Sequence, residues 1–167
     1  MRTLWLRDRA LDLDRVRLLG VLNLTPDSFS DGGRYLDPER ALERAREMVA
    51  EGADILDLGA ESTRPGAAPV PVEEEKRRLL PVLEAVLSLG VPVSVDTRKP
   101  EVAEEALKLG AHLLNDVTGL RDERMVALAA RKKIPYAINL NHRFTPAAER
   151  ARQWLDLCHY GDSDGHL

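Results

Sequence analysis

The sequence predicts an α/β fold of the (β/α)8 TIM-barrel type, incomplete, with about five βα units and an N-terminal β-hairpin. Three observations lead there. Short apolar runs alternate with longer stretches of helical periodicity, the rhythm of a parallel sheet with its helices outside. A polar residue closes each successive run: Asn23, Asp57, Asp96 and then Asn115-Asp116. A barrel gathers such strand ends at one face, whereas an open doubly wound sheet spreads them along a line. The third observation is length. A closed barrel takes about 250 residues and eight units, and this chain has 167 residues.

The elements follow in order. From Thr3 to Asp14 the alternation of Leu4, Leu6, Leu11 and Leu13 around Arg7-Asp8-Arg9 reads as a hairpin, assigned to residues 1–15. Residues 16–130 hold the partial barrel. The apolar run Val16 to Leu22 delivers Asn23. Asp37 is an N-cap with Pro38 at the first helical position, and Ala41, Leu42, Ala45, Met48, Val49 and Ala53 recur at helical spacing near the stop at Gly52. Ile55 to Leu58 is a strand, Gly59 to Pro71 a loop and Val72 to Leu89 a helix. Pro81 inside that helix implies a kink or a shorter element. Then come a strand at Val91 to Val95, a helix at Pro100 to Leu109 closed by Gly110, a strand at His112 to Leu114 and a helix at Asp122 to Arg131. Residues 131–167 form a divergent final segment, with a strand expected at Ile134 to Leu140 and a helix at Pro146 to Leu157.

Composition narrows the function classes. A formal net charge of -4, mixed in sign, offers no surface for nucleic acid or membrane. A single cysteine, Cys158, precludes an internal disulfide and fits a reducing cytoplasm. No apolar run approaches the ~20 residues that span a bilayer, and the charge at Arg7 interrupts any signal-peptide pattern.

Four segments carry chemistry. Gly20 to Gly33 ends a strand in Asn23 and continues as a polar loop with Ser28 and one aromatic, Phe29. Taken alone, its Thr-Pro-Asp and Asp-Gly-Gly are ordinary turn chemistry. Asp57 to Ala67 places Ser62, Thr63 and Arg64 in one loop, two hydroxyls and a guanidinium that suit anionic oxygens such as phosphate. Val93 to Pro100 contributes Asp96, and Leu114 to Gly119 contributes Asn115. A buried carboxylate beside an amide can read the donor and acceptor edge of a flat heterocycle, or can simply cap helices and brace loops.

In this order and spacing, the Asn-x-Thr-Pro-Asp-Ser-Phe-Ser-Asp-Gly-Gly and Glu-Ser-Thr-Arg-Pro-Gly loops and the two strand ends resemble the motifs of dihydropteroate synthase, from roughly Leu18 to Ala130. The resemblance implies condensation of 6-hydroxymethyl-7,8-dihydropterin diphosphate with p-aminobenzoate, with Mg2+ present, in folate biosynthesis. It implies that Asp96 and Asn115 hold the pterin, with Asp57 close by. Asn23 meets the Mg2+–diphosphate, and Thr63 and Arg64, the catalytic pair, lie on the diphosphate side. Ser28, Phe29, Thr63 and Pro65 build the p-aminobenzoate pocket, where sulfonamides would compete. After Arg131 the chain departs from the pattern. Ile138-Asn139-Leu140-Asn141-His142 stands where a Met-His-Met-like motif is usual, and the family's later aspartate, Ser-Arg-Lys and Arg-Val-His segments have no counterpart. Lys132 and Lys133 precede their strand, so they belong to the opposite rim. His142, Cys158, His159, Asp162, Asp164 and His166 match no metal-ligand spacing and read as a polar tail. The chain alone is therefore expected to have little or no synthase turnover. Two rival readings are a pterin-binding methyltransferase, which does not need a diphosphate loop, and a non-catalytic partial barrel that forms a homo-oligomer.

Overall fold

A computed structural model of the chain describes residues 3–25, 28, 37–62, 66–119, 121–132 and 136–138. The strand β1 (Thr3–Leu6) pairs antiparallel with β2 (Arg9–Asp12) as the expected hairpin. Five further strands form one parallel sheet: β3 (Leu19–Asn23), β4 (Ile55–Gly59), β5 (Val93–Asp96), β6 (Leu113–Asp116) and β7 (Tyr136–Ile138). Their spatial order is their chain order. A doubly wound sheet reverses direction part-way along, whereas a barrel adds each strand beside the last. The sheet follows the barrel's rule, and no closed ring exists among the described residues.

The helices are α1 (Pro38–Ala50), α2 (Val72–Leu87), α3 (Pro100–Leu109) and α4 (Glu123–Lys132). The carboxylate of Asp37 caps α1, accepting the Glu39 N–H at 2.9 Å, and Pro38 and Pro100 open their helices as expected. Gly110 ends α3 with φ +128°, a conformation that side chains strain to adopt. The helix α2 continues through Pro81 to Leu87 and is not shortened there, since Pro81 lies on its exposed side. The strands are also narrower at their starts than the apolar runs suggested, because Val16 to Leu18 and Val91 to Pro92 serve as lead-ins. The expected helix at Pro146 to Leu157 and the histidine-rich tail lie outside the described residues.

Alternation along each strand separates two faces. Leu22, Leu56, Leu58, Val93, Val95 and Leu114 point at the helices and are sealed with Ala45, Leu79, Val82, Leu83, Val86 and Ala106. The opposite face is the one a barrel would turn inward. Its lower end is plugged by the hairpin: Leu6 and Leu11 pack with Ile55 and Leu113 in a second, smaller core. Arg7 fixes the hairpin turn by donating to the carbonyls of Leu107 and Ala111 at the end of α3, at 2.7 and 3.1 Å. A carboxylate clamp aligns the start of the sheet. Asp54 accepts the Leu18 N–H and the Arg17 guanidinium at 2.9 Å each, and also pairs with Arg15. Those partners, the Leu18 N–H foremost, hold its carboxyl down at about 2.

Candidate active site

Register decides which polar residues meet. Asn23 is level with Gly59, Gly59 with Asp96, Asp96 with Asn115, and Asn115 with Ala137. Residues paired across neighbouring strands share a face. Asn23, Asp96 and Asn115 therefore stand in one row at the C-terminal tips, on the inward face. One step lower, Val21, Asp57, Ser94 and Leu113 form the next row.

These rows are joined by a hydrogen bond. Asn115 donates from Nδ2 to Asp57 Oδ2 at 3.1 Å. The other oxygen, Asp57 Oδ1, is buried with no hydrogen-bond partner among the described residues. An unmatched buried acceptor costs about 1–3 kcal/mol, so this atom marks a place where a donor is wanted. Asp96 is pushed up to about 7, first by burial and then by the negative charges of Asp57, Asp116, Glu75 and Glu61. Near neutral pH it carries a proton for much of the time, so it can donate or accept. Gly59 keeps the row open beside it; a Cβ there would lie 3.5 Å from the Asp96 Cβ.

Asp116, the other half of the Asn115-Asp116 pair, has the opposite role. It is buried, and its Oδ1 accepts the backbone N–H and hydroxyl of Thr118, both at 2.8 Å. It braces the turn after β6. Ser28 is exposed just beyond β3, its hydroxyl 3.0 Å from that of Thr25. Phe29, Thr63, Arg64 and Pro65 lie outside the described residues.

A bracing network above the rows was not anticipated from sequence. Glu61 accepts the Val70 N–H at 2.9 Å, Arg98 Nη2 at 3.0 Å and Lys99 Nζ at 3.1 Å. Burial alone would raise its carboxyl, but these three partners together leave it lowered. Lys99 also reaches Glu75, a fully buried carboxylate that takes the Thr97 hydroxyl at 2.6 Å. The loop after β4, the start of α2 and the loop after β5 are thus tied together. A signal for Glu75 did exist: it occupies the helical stripe of Val72, Leu79, Val82 and Val86, where an acid is out of place unless it has partners.

Among the described residues, no group of three or more His, Cys, Asp or Glu could hold a metal ion, and no helix is long and apolar enough to cross a membrane. Comparison with known proteins gives the lineage. Residues 19–158 match the model of the family described as pterin binding enzyme. The chain belongs to that family. Among relatives, the dihydropteroate synthase of Bacillus subtilis (strain 168) is 48% identical over 130 residues, which are 77% of this chain and 46% of that protein. The dihydropteroate synthase of Thermus thermophilus in complex with 6HMPPP superposes with TM-score 0.69 at 72% identity, covering 94% of this chain and 58% of that one. The same organism's synthase in complex with 4-aminobenzoate gives TM-score 0.70 at 69% identity, covering 94% and 60%. This member of the pterin-binding family thus spans about half the length of these three relatives.

Proposed function

We propose that the chain forms the first part of a dihydropteroate synthase site, binding a pterin diphosphate on the inward face of the sheet. The observation that carries this reading is the level row of Asp96 and Asn115, a proton-holding acid beside an oriented amide on one face. Two such groups suit the donor and acceptor edge of a flat nitrogen heterocycle. In the reaction, the amine of p-aminobenzoate forms a C–N bond at the pterin methylene while the C–O bond to diphosphate breaks and the amine gives up a proton. No protein nucleophile is needed. Thr63 and Arg64, by motif, would stabilise the departing charge, and Ser28, Phe29, Thr63 and Pro65 would shape the p-aminobenzoate pocket in which sulfonamides compete.

The residues present fit Mg2+. This ion takes few protein ligands and keeps water and phosphate oxygens, so Asn23, an exposed residue at the tip of β3, could supply an adequate amide oxygen beside a diphosphate. When bound, the ion neutralises charge on the leaving group. A cytoplasmic location suits these substrates and the single cysteine.

Equilibrium titration of the chain with pterin diphosphate and Mg2+ should show binding that Asp96→Ala and Asn115→Ala each abolish. Unchanged binding in both variants would sink the assignment. Dihydropteroate formation by the chain alone is expected to be slight. Self-association is a second expectation, favoured by the apolar residues Val16, Leu18, Leu19 and Val21, between 47% and 81% exposed along the edge strand β3 and its lead-in. Sedimentation at several concentrations checks it.

A further inference from the structure

The pterin reading leaves Asp57 beside the ring without a defined task, and any task assigned to it rests on that reading. Asp57 is 3% exposed in the middle of β4. Its Oδ2 takes one N–H of the Asn115 amide, and its Oδ1 is the buried atom without a partner among the described residues. A primary amide has two ends of nearly equal size, one donating and one accepting, and can be turned end for end unless a neighbour distinguishes them. An ionised carboxylate does so, because it only accepts. With the NH2 end held on Asp57, the Asn115 carbonyl must face elsewhere.

We propose that Asp57 is a specificity-determining positioning residue: it locks the Asn115 amide so that a bound ring meets one N–H beside one C=O. That pair complements an amidine edge, a ring nitrogen next to an exocyclic amine. A ring bearing a carbonyl in place of the amine would set oxygen against oxygen, and Asp57 prevents the amide from turning to relieve it. The surroundings favour the same ligand class. The acceptor left open on this face is Asp57 Oδ1, buried and without a partner among the described residues. The chamber asks its ligand to bring N–H donors.

The test is calorimetric titration of the full chain with 6-hydroxymethylpterin and with 6-hydroxymethyllumazine, which carries a carbonyl where the pterin has its 2-amino group. The wild-type chain is expected to prefer the pterin by about tenfold, the worth of one well-made against one frustrated hydrogen bond. Asp57→Ala releases the amide and should bring that ratio towards one. Asp57→Asn, whose amide donates as well as accepts and can itself turn end for end, should lower the ratio too. A loss of structure alone would weaken both rings alike and leave the ratio standing. Should Asp57→Ala fail to fold, Asp57→Ser replaces it, because a hydroxyl donates as readily as it accepts and cannot tell the amide's ends apart. An undiminished ratio in either variant overturns the proposal. A wild-type chain that binds both rings equally overturns it alone, and one that binds neither removes the pterin reading as well.

Discussion

Ile55 and Asp57 stand two residues apart on the same face of β4, as do Leu113 and Asn115 on β6. The lower member of each pair belongs to a dry apolar plug under the hairpin, and the upper member belongs to a polar chamber. Two residues along a strand amount to about 7 Å. Over that distance the sheet passes from burial that stabilises to burial that costs. The plug gains from every methylene it removes from water, whereas the chamber keeps a buried acceptor unmatched and an acid out of its normal charge state. Stability and chemistry are therefore stacked, and each should respond to its own perturbations.

The largest effect is expected in the plug. Leu6 is fully buried there, and Leu6→Ala should cost about 3 kcal/mol in a denaturant titration. The chamber should answer with the opposite sign. Asp96 titrates near 7 in the folded chain but near 3.9 when unfolded. Its penalty is absent below pH 4, grows as pH rises through that interval and is complete above 7. Asp96→Asn should thus leave stability unchanged at pH 4 and raise it above pH 7, on the order of 2 kcal/mol after screening. A substitution that destabilised at both pH values would erase the contrast between the two layers.

The smallest effect concerns His112 at the base of the plug. Its Nδ1 accepts the Val93 N–H at 3.1 Å, which requires a neutral ring, and Nε2 lies 3.6 Å from Asp8. Burial first, and then the nearby Arg9, lower its pKa. A histidine depressed in the folded state contributes stability above its unfolded value, about 6.5, that is lost as pH falls. In an Asp96→Asn background, where the chamber's opposite trend is removed, the melting temperature should decline from pH 7.5 to pH 5, and adding His112→Asn should flatten that decline. The lower layer thus weakens in acid and the upper one in alkali.

Much of this was legible in the chain. The Asp37-Pro38 cap, the helix Pro100–Leu109 and the polar strand ends at Asn23, Asp96 and Asn115-Asp116 follow from local chemistry that packing did not override. Asp57, expected to close its strand, lies instead in the middle of β4, because that strand runs on to Gly59. The two motif loops are long and specific enough to point to the family by themselves. What could not be read is whatever depends on register. Asn115 and Asp116 are adjacent and both polar; only the pairing of Asn115 with Asp96 turns the first towards the chamber and leaves the second to brace a turn. The same holds for the Asp57–Asn115 bond, across 58 positions of sequence. Glu75 was hidden because a helical stripe identifies a buried position without naming its partners, which here come from Thr97 and Lys99.

Gly59 sets a limit of volume at the centre of the upper row. Its backbone asks for nothing unusual, and an added methyl would make ordinary contact with Asp96, at 3.5 Å from the Cβ and 3.7 Å from Oδ2. Alanine should therefore be accommodated. Each larger branch would have to lean over the acid or displace it, narrowing the gap between the Asn23 amide and the Asp96 carboxyl that this one missing side chain creates. The width of that slot is encoded by an absence of atoms, at a position where neither charge nor hydrogen bonding would have drawn the eye.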